Sequence, residues 1–323
     1  MNNRKALVLG SSGFIGNHLV KDLKQKGFFV IGVDKVQTPS YGLSPDEFLL
    51  GDLTEEKTYE QIKDAPIERV YQMAANMGGA EYIFTGKNDL AILRDNLQIQ
   101  IFFSKWVQKA KPKKVFFASS ACIYPVGIQN ENNTYECAED QAFPADPDSV
   151  YGWEKLTAEI LYETLSKNSA SKIYIGRLHN VYGPNCPWKG GKEKAPAAIC
   201  RKVAKATEGE DIVIFGSGHQ KRTFLYIEDC LKAIELLLQS NCHSPLNIGS
   251  NNVISIQELT QMVIDLSKKK LNIRPTEQGP VGVLARSSNN NNIIKELGWK
   301  PRIELEEGMK LLYSWILNQL RND

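Results

Sequence analysis

Two adjoining segments decide the fold of this chain: Lys5-Ala-Leu-Val-Leu9 and Gly10-Ser-Ser-Gly13-Phe-Ile-Gly16. The apolar run predicts a buried strand, and residues 17–26 predict the helix that follows it. Glycines at such a turn let backbone N–H groups approach a pyrophosphate at the N-terminus of the helix. The spacing is G-x-x-G-x-x-G instead of the standard G-x-G-x-x-G, but the order of strand, turn and helix still predicts a dinucleotide site. Its expected contacts are Gly10, Gly13, Phe14, Ile15 and Gly16.

A second predicted strand, residues 28–33, ends in Asp34. In a dinucleotide-binding domain, an acidic residue at this place accepts a hydrogen bond from the ribose 2′-OH of NAD. The same carboxylate repels the 2′-phosphate of NADP. The sequence therefore predicts NAD as the cofactor, and the alternative is a glycine-rich turn that binds no nucleotide.

A phenol and an ammonium lie four residues apart in Tyr151-Gly-Trp-Glu-Lys155, within a segment that predicts a helix. Residues at i and i+4 share one helical face, so both groups are expected in one site. A cation beside a phenol favours the phenolate and lowers its ordinary pKa of about 10. We therefore expect Tyr151 to act as a base near neutral pH.

Ser120 follows a predicted strand, residues 114–118, at its carboxyl end. Its hydroxyl is expected to hydrogen-bond a sugar oxygen beside Tyr151. Ser120, Tyr151 and Lys155 then form a set for hydride transfer to NAD, in which Tyr151 takes the hydroxyl proton. The alternative is that Ser120 only caps a turn.

Length and composition limit the classes of protein to which the chain can belong. At 323 residues the chain exceeds the usual size of one core, which predicts two lobes. Its 39 Lys and Arg against 37 Asp and Glu give a net charge of +2, which argues against a general nucleic-acid or membrane surface.

No apolar run approaches the ~20 residues that span a bilayer, and a strand is predicted from Lys5 with no signal peptide before it. The six cysteines show no C-x-x-C pair or zinc spacing, so we expect no metal and a reducing, cytoplasmic location.

Residues 1–178 alternate short apolar runs with helical patterns, which predicts an α/β fold with a Rossmann-type doubly wound parallel sheet. This is the expected NAD-binding domain. Residues 179–323 are expected to form mainly a smaller C-terminal α/β lobe for the substrate, from which residues 222–250 return to the first domain. The predicted strands of the sheet are residues 5–9, 28–33, 69–73, 114–118 and 173–177.

The remaining predicted elements include a candidate subunit interface. Helix 96–109 is apolar on several faces, which is typical of a helix that is either fully buried or half-buried against a partner. We expect it to form a homodimer interface together with helix 149–167. In the second half of the chain we expect helices 195–207, 228–239 and 255–269, a strand at 211–215, and loops at 182–191 and 274–291.

Five further segments carry a resemblance to a known family. They are Ala74-Ala-Asn-Met-Gly-Gly79, Ala118-Ser-Ser-Ala-Cys-Ile-Tyr-Pro125, Ile175-Gly-Arg-Leu-His-Asn-Val-Tyr-Gly-Pro184, Trp188-Lys-Gly-Gly-Lys-Glu-Lys-Ala-Pro-Ala-Ala198 and Gly279-Pro-Val-Gly-Val-Leu-Ala-Arg286. Over nearly its whole length the chain resembles the extended short-chain dehydrogenases/reductases that modify nucleotide sugars, the NAD-dependent epimerase/dehydratase family. The Ser-Ala-Cys and Trp-Lys-Gly-Gly segments are similar to the branch that epimerises GDP-mannose at carbons 3 and 5.

The resemblance implies an isomerase that holds NAD and converts GDP-mannose to GDP-L-galactose and GDP-L-gulose. Carbon 4 of the hexose is oxidised, the ketone acidifies the C–H bonds at carbons 3 and 5, and the hydride returns after inversion. Inversion needs two acid/base groups on opposite faces of the ring, and the family's cysteine and lysine match Cys122 and Lys194. A thiol, and a lysine whose pKa is lowered, can both shuttle protons near neutrality. The sequence leaves open which of the two removes the proton.

The resemblance also implies further contacts to cofactor and substrate. Asp52 matches the family's adenine-side acid, and Leu53 lies beside it. Arg222 and Arg286 are expected at the pyrophosphate, since arginine binds diphosphates through two parallel hydrogen bonds. For either arginine a structural salt bridge is the alternative. The full expected set of substrate contacts is Gly78, Ser120, Ala121, Cys122, Asn180, Glu193, Lys194, Ala195, Lys202, Gln220, Arg222 and Arg286.

Three alternatives remain open from the sequence. The same chemistry could act on another nucleotide sugar, such as a GDP-heptose. The chain could instead be a 4-epimerase, which needs no second acid/base pair, or a 4,6-dehydratase, although dehydratases carry an Asp-Glu pair where this chain has Ala121-Cys122. A non-catalytic NAD-binding sensor is the contrasting class, but such proteins tend to lose the Tyr/Lys pair that this chain keeps.

Overall fold

The computed structural model describes residues 4–37, 44–62, 66–129, 136–280 and 282–322. Its strands, in chain order, are β1 (Lys5–Leu9), β2 (Phe29–Asp34), β3 (Glu47–Leu50), β4 (Arg69–Gln72), β5 (Lys114–Ser120), β6 (Glu136–Cys137), β7 (Lys172–Leu178), β8 (Val181–Tyr182), β9 (Asp211–Phe215), β10 (Lys221–Thr223), β11 (Leu225–Tyr226), β12 (Leu246–Ile248), β13 (Val253–Ser255), β14 (Asn272–Thr276) and β15 (Ser287–Ser288). Its α-helices are α1 (Phe14–Gln25), α2 (Glu56–Glu60), α3 (Ala80–Ile83), α4 (Asp89–Ala110), α5 (Val150–Lys167), α6 (Ala195–Lys205), α7 (Ile227–Gln239), α8 (Ile256–Ser267), α9 (Asn291–Leu297) and α10 (Leu305–Arg321).

Seven strands form one parallel sheet, in the order β3-β2-β1-β4-β5-β7-β12. The chain adds strands on one side of β1 and then on the other, so the strand order reverses between β1 and β4. In such sheets ligands bind beyond the carboxyl ends of the strands at that point of reversal. The Rossmann-type α/β fold expected from the sequence is confirmed.

Helices cover both faces of this sheet, which is why its strands are almost continuously apolar. Ala6 and Val8 of β1 face the layer that contains α1 and α7. Leu7 and Leu9 face the opposite layer, which contains α2, α4 and α5. All four side chains are fully buried, and burial of a leucine stabilises a fold by about 1.5–3 kcal/mol.

The C-terminal half builds a smaller lobe around three helices, α6, α8 and α10, which pack against one another. Two small sheets complete it: β9 and β14 are parallel, and β10 and β13 are antiparallel. Strand β12, by contrast, lies in the central sheet beside β7, and α7 packs against α1. The second half of the chain therefore contributes to both parts of the molecule.

Several predicted boundaries differ from the structure. Helix α1 begins at Phe14, directly after its N-cap residue Gly13, and α4 begins at Asp89 rather than at residue 96. The prediction of a loop from residue 274 is wrong at its start, because residues up to Thr276 belong to β14 and pair with β9. This strand carries a proline, Pro275, and mostly exposed residues, so it lacks the apolar pattern of a buried strand.

Candidate functional site

The glycine turn lies between β1 and α1, where the backbone is packed very closely. The Gly10 N–H donates to the Val33 carbonyl at 2.8 Å, and Gly10 has a φ of +81°, which favours glycine. A Cβ atom on Gly16 would lie 2.0 Å from the Gly10 carbonyl oxygen. These contacts bring the N-terminus of α1 to the carboxyl edge of the sheet, as a pyrophosphate site requires. Phe14 and Ile15 in the first turn of α1 are half-buried against the core.

Asp34, the last residue of β2, lies beside this turn. Its carboxylate accepts the Ser12 N–H at 3.0 Å and the Val36 N–H at 3.3 Å, while burial raises its pKa. The neighbouring Ser11 hydroxyl is buried with no hydrogen-bond partner among the described residues. A carboxylate fixed at the end of β2, an unpartnered hydroxyl and a helix N-terminus fit the ribose and pyrophosphate of NAD.

Asp52 and Leu53 follow β3, next to Asp34 in space. The Gly51 N–H donates to the Asp34 carbonyl at 2.9 Å. The Asp52 carboxylate accepts the Thr54 N–H at 2.9 Å and the Thr54 hydroxyl at 2.8 Å, and Leu53 is buried. These residues therefore form a fixed turn on the adenosine side of the expected NAD site.

Tyr151 and Lys155 lie in the first turns of α5, whose N-terminus is capped by the Ser149 hydroxyl. A Cβ atom on Gly152 would lie 2.2 Å from the Cys122 carbonyl oxygen, so α5 packs closely on the turn that carries Cys122. The Lys155 ammonium lies 5.5 Å from the centre of the Tyr151 ring and 3.6 Å from a Glu154 carboxylate oxygen. The helix thus brings Tyr151 and Lys155 together, as the i, i+4 spacing predicts.

The expectation that the pKa of Tyr151 is lowered is wrong in this structure. Burial raises the pKa of Tyr151 well above its ordinary value, and the nearby Cys122 and Glu154 raise it further. A hydrogen bond with Ser120 lowers it, but does not outweigh burial. The spacing of residues along a helix indicates which side chains meet. It does not indicate how deeply they are buried, because burial depends on tertiary packing.

One cavity of about 270 Å³ lies between the carboxyl edge of the sheet and the smaller lobe. Tyr151 lines it, and so does every residue expected to contact the substrate. The expected contacts in its wall are Gly78, Ser120, Ala121, Cys122, Asn180, Glu193, Lys194, Ala195, Lys202, Gln220, Arg222 and Arg286. Residues separated by more than half of the chain therefore share one chamber.

Cys122 lies in a short 3₁₀ turn directly after β5. The Ser120 hydroxyl accepts the Cys122 N–H at 3.1 Å, so the turn-capping alternative is part of what Ser120 does. Arg286 donates from Nη1 to the Cys122 Sγ atom at 3.3 Å. The sulfur therefore has a cationic hydrogen-bond donor beside it.

Lys194 is the N-cap residue of α6, at the end of the loop rich in glycine and lysine. The Gly79 N–H donates to the Lys192 carbonyl at 3.0 Å, and a Cβ atom on Gly79 would lie 2.2 Å from the Glu193 carbonyl oxygen. This close contact fixes the loop against the segment after β4. Burial lowers the pKa of Lys194, while Cys122 raises it.

The remaining polar groups of the cavity bind mainly to the backbone. Arg222 donates from Nη1 to the Lys221 carbonyl at 2.8 Å and from Nη2 to the Val283 carbonyl at 2.7 Å. Burial, together with the charge of Arg286, lowers the pKa of Arg222 to about 10. Three other side chains of the cavity also donate to backbone carbonyls. They are the Lys202 ammonium to Val213 at 2.7 Å, the Asn180 amide to Thr223 at 3.1 Å, and the Gln220 amide to Phe215 at 2.6 Å.

Asp148 and Gln129 are site residues that sequence reasoning missed. Asp148 lines the cavity and forms an ion pair with Arg286 at 2.7 Å, and Gln129 accepts a hydrogen bond from the same arginine. Neither residue belongs to a motif, and the only signal for Asp148 is its position three residues before Tyr151. Across the described ranges no group of three or more His, Cys, Asp or Glu could hold a metal ion, and no helix is long and apolar enough to cross a membrane.

Comparison with known proteins identifies the family. A family model described as NAD dependent epimerase/dehydratase family matches residues 6–249. The chain belongs to this family. The resemblance drawn from the motifs is therefore confirmed, and so is NAD as the cofactor.

Individual relatives agree with this assignment. GDP-mannose 3,5-epimerase of Arabidopsis thaliana is 37% identical over 99% of this chain and 84% of its own length. The structure of UDP-glucose 4-epimerase from Thermotoga maritima with UDP-glucose has a TM-score of 0.85 and 24% identity, covering 98% of this chain and 99% of that one, and supports the fold. UDP-glucuronic acid 4-epimerase from Bacillus cereus, solved with UDP-glucuronic acid and NAD, has a TM-score of 0.83 and 25% identity, with coverage of 98% and 99%.

Proposed function

We propose that this protein is an NAD-dependent epimerase that converts GDP-mannose to GDP-L-galactose and GDP-L-gulose. It inverts carbons 3 and 5 of the hexose through a 4-keto intermediate. One observation carries the proposal: Ser120 and Tyr151 share a single cavity with Cys122 and Lys194. The relative from Arabidopsis thaliana, 37% identical over 99% of the chain, supports the same activity.

The oxidation at carbon 4 is assigned to Ser120, Tyr151 and Lys155. Bound NAD supplies the hydride acceptor at carbon 4, and every other role falls to side chains of the protein. Tyr151 takes the proton of the carbon 4 hydroxyl as general base in its phenolate form, although burial raises its pKa, and Ser120 hydrogen-bonds the same oxygen. Lys155, 5.5 Å from the centre of the Tyr151 ring, adds positive charge behind the phenol. This charge favours the phenolate while the proton is being transferred.

The inversions are assigned to Cys122 and Lys194. A carbonyl at carbon 4 acidifies the C–H bonds of carbons 3 and 5, so a weak base can remove either proton. One group takes the proton from one face of the ring, and the other returns a proton to the opposite face. Burial lowers the pKa of Lys194, which brings its ammonium closer to the pH range in which it can give up a proton.

Deuterium exchange tests this assignment directly. GDP-mannose is incubated with the protein in heavy water, and deuterium at carbons 3 and 5 is measured by NMR. We expect deuterium at both carbons together with the two epimeric products. The matched control is Cys122→Ser, which keeps Tyr151 and the dinucleotide turn. An intact sample with bound NAD that incorporates no deuterium rules the proposed activity out.

The proposal also specifies that the substrate is a GDP-sugar. Arg222 lines the cavity, and its guanidinium suits one end of a diphosphate. The exchange experiment is therefore repeated with a panel of nucleotide sugars, including UDP-glucose and a GDP-heptose. We expect GDP-mannose to give the highest kcat/KM, and faster exchange with another sugar reassigns the substrate while it leaves the chemistry intact.

We also propose that the protein is a cytoplasmic homodimer that associates through α4 and α5. These helices pack together and leave large apolar side chains exposed on their outer side. Their exposed residues are Leu90, Leu93, Ile101, Trp153 and Ile160. A reducing compartment would keep the thiol of Cys122 free. Sedimentation tests the homodimer, and cell fractionation tests the cytoplasmic location.

A further inference from the structure

The residues assigned to the reaction on the sugar come from both lobes of the molecule. Cys122 follows β5 of the larger lobe, which contains the central sheet, and Tyr151 lies on α5, which packs against β5 and β7. Lys194 is instead the N-cap residue of α6 in the smaller lobe. A displacement of about 1 Å can slow an enzymatic step by about 10²-fold, even when the change is made away from the reacting atoms. The proposed inversion therefore depends on contacts that fix Lys194 relative to the larger lobe.

Gly79 makes such a contact with its backbone. It is a buried residue that follows β4 of the larger lobe and directly precedes α3. Its N–H donates to the Lys192 carbonyl at 3.0 Å. A Cβ atom on Gly79 would lie 2.2 Å from the Glu193 carbonyl oxygen and 3.4 Å from the Lys194 Cα atom. The backbone that carries Lys194 therefore lies directly against the backbone of Gly79.

The conformation of Gly79 does not itself require glycine. Its φ of −74° and ψ of −174° are extended backbone that any residue adopts. It differs in this from Gly10, whose φ of +81° favours glycine. At Gly79 the restriction is space, because the atom nearest to an added Cβ is the backbone carbonyl oxygen of Glu193 and not the end of a flexible side chain. The approach of the smaller lobe is thus what limits the residue at this position.

Side chains attach the segment around Gly79 to both lobes. The Asn76 N–H donates to the Asn96 amide oxygen on α4 at 2.6 Å, and the Tyr82 hydroxyl donates to the Asn76 amide oxygen at 2.7 Å. On its other side, the Tyr82 ring has the Lys192 ammonium 4.4 Å from its centre, which is a cation–π contact. The segment is therefore fixed to α4 and holds the loop that ends at Lys194.

We propose that Gly79 is a positioning residue, which together with the contact between Tyr82 and Lys192 places Lys194 at the sugar. Because Gly79 has no side chain, the N-terminus of α6 comes close enough for Lys194 to serve as one of the two proton-transfer groups. A side chain at position 79 would push this N-terminus away from the cavity. Gly79 acts through Lys194, whereas the oxidation at carbon 4 uses residues of the larger lobe. This inference rests on the proposed function.

The experiment is Gly79→Ala, assayed for both steps of the reaction on GDP-mannose. The added methyl group forces the Glu193 carbonyl to retreat by about 1 Å, so we expect the two epimeric products to form about 10²-fold more slowly. Bound NADH, measured by its absorbance during turnover, should reach at least the natural level, because the oxidation at carbon 4 is intact. Products formed at the natural rate overturn the proposal. An equal loss of products and of bound NADH also overturns it, because Gly79 then has only a structural role.

A second variant weakens the same contact without adding an atom to it. Lys192→Ala removes the ammonium from the Tyr82 ring, and it keeps the test decisive if Gly79→Ala fails to fold. We expect products to form about threefold more slowly, with bound NADH unchanged. Lys189→Ala is its matched control, because the Lys189 ammonium lies 4.8 Å from the centre of the Trp188 ring in the same loop. Equal rates for the two lysine variants contradict the proposal.

Amide hydrogen exchange tests the contact without any sugar. The protein carries bound NAD, and mass spectrometry follows the peptide that covers residues 186–200. We expect this peptide to exchange about tenfold faster in Gly79→Ala than in the natural protein, because the loop is displaced from Gly79. The peptide that covers residues 5–25 should exchange at the natural rate, which shows that the larger lobe is folded. Equal rates in the loop peptide overturn the proposal.

The controls separate this inference from the proposed function. Gly127→Ala makes the same substitution where, among the described residues, no atom beyond its chain neighbours lies within 4 Å of the added Cβ, so its loop and its products should match those of the natural protein. A natural protein that forms no epimers from GDP-mannose, with faster loop exchange in Gly79→Ala, refutes the proposed function alone. Epimers formed equally fast by the natural protein and Gly79→Ala refute this inference alone.

Discussion

The dinucleotide turn and the sugar cavity are built in opposite ways. The turn is one continuous segment, Gly10 to Gly16, whose form follows from contacts between near neighbours such as the Gly13 N–H and the Gly10 carbonyl. The cavity joins Cys122 to Arg286 across 164 positions. Local sequence therefore determines the glycine turn of the cofactor site, whereas the chemistry on the sugar depends on tertiary packing. Changes in the two regions should have separable effects.

The largest expected effect lies in the cavity. Cys122→Ser replaces the thiol by a hydroxyl, which is a far weaker acid, and should slow deuterium exchange at carbons 3 and 5 by about 10²–10⁴-fold. The oxidation at carbon 4 should survive, because Tyr151 and Ser120 are unchanged. Exchange is measured by NMR, and bound NADH is measured by its absorbance during turnover. Loss of both signals to the same degree contradicts the assignment of inversion and oxidation to different residues of the cavity.

The next effect lies in the turn. Gly16→Ala places a Cβ atom 2.0 Å from the Gly10 carbonyl oxygen, so the turn must open. We expect a loss of about 2–3 kcal/mol in the free energy of unfolding, together with loss of bound NAD. Thermal unfolding and the NAD content of the purified protein measure these changes. Gly127→Ala is the control, because among the described residues no atom beyond its chain neighbours lies within 4 Å of its added Cβ. Equal behaviour of the two variants contradicts the packing argument.

A smaller effect concerns a surface that belongs to neither region. Ile160→Glu places a charge on the exposed face of α5, where Ile160 is 51% exposed. If α4 and α5 form the dimer, this variant should sediment as a monomer while keeping its NAD. Leu311→Glu on α10, where Leu311 is 45% exposed, should leave the assembly unchanged. A dimer that survives Ile160→Glu rejects this interface.

The smallest expected effect concerns the stability contributed by Lys194. Its pKa is lowered by burial, so the unfolded chain binds the proton more readily than the folded protein. The charged lysine therefore destabilises the fold fully below the lowered pKa and ceases to do so above the ordinary value of about 10.4. Lys194→Met should increase the free energy of unfolding at pH 7, and the gain should fade as the pH rises towards 10. Exposed Lys205→Met should change stability by less than about 0.5 kcal/mol.

The sequence predicts much of the fold because its signals are local. The strands 5–9 and 211–215 have the predicted bounds, and the pair Tyr151 and Lys155 meets on α5 as its spacing requires. Motif resemblance supplies the identities of the cavity residues. It does not indicate the contact between Arg286 and Cys122, because these two residues belong to different motifs.

Sequence patterns also do not indicate how deeply a side chain is buried. The spacing of Tyr151 and Lys155 predicts a lowered pKa for the phenol, but packing around α5 removes water and raises it. Strand β14 is missed for a related reason, because its pairing with β9 is not accompanied by an apolar pattern. Both differences come from tertiary contacts, which also build the cavity.

A structure of the protein with NAD and GDP-mannose bound tests the central claim most directly. The distances to measure run from the Cys122 Sγ and Lys194 Nζ atoms to carbons 3 and 5 of the hexose. We predict that the sulfur and the amine approach opposite faces of the ring, with the carbon 4 hydroxyl beside Tyr151. A bound sugar with both atoms on the same face, or with either atom far from the ring, contradicts inversion by this route.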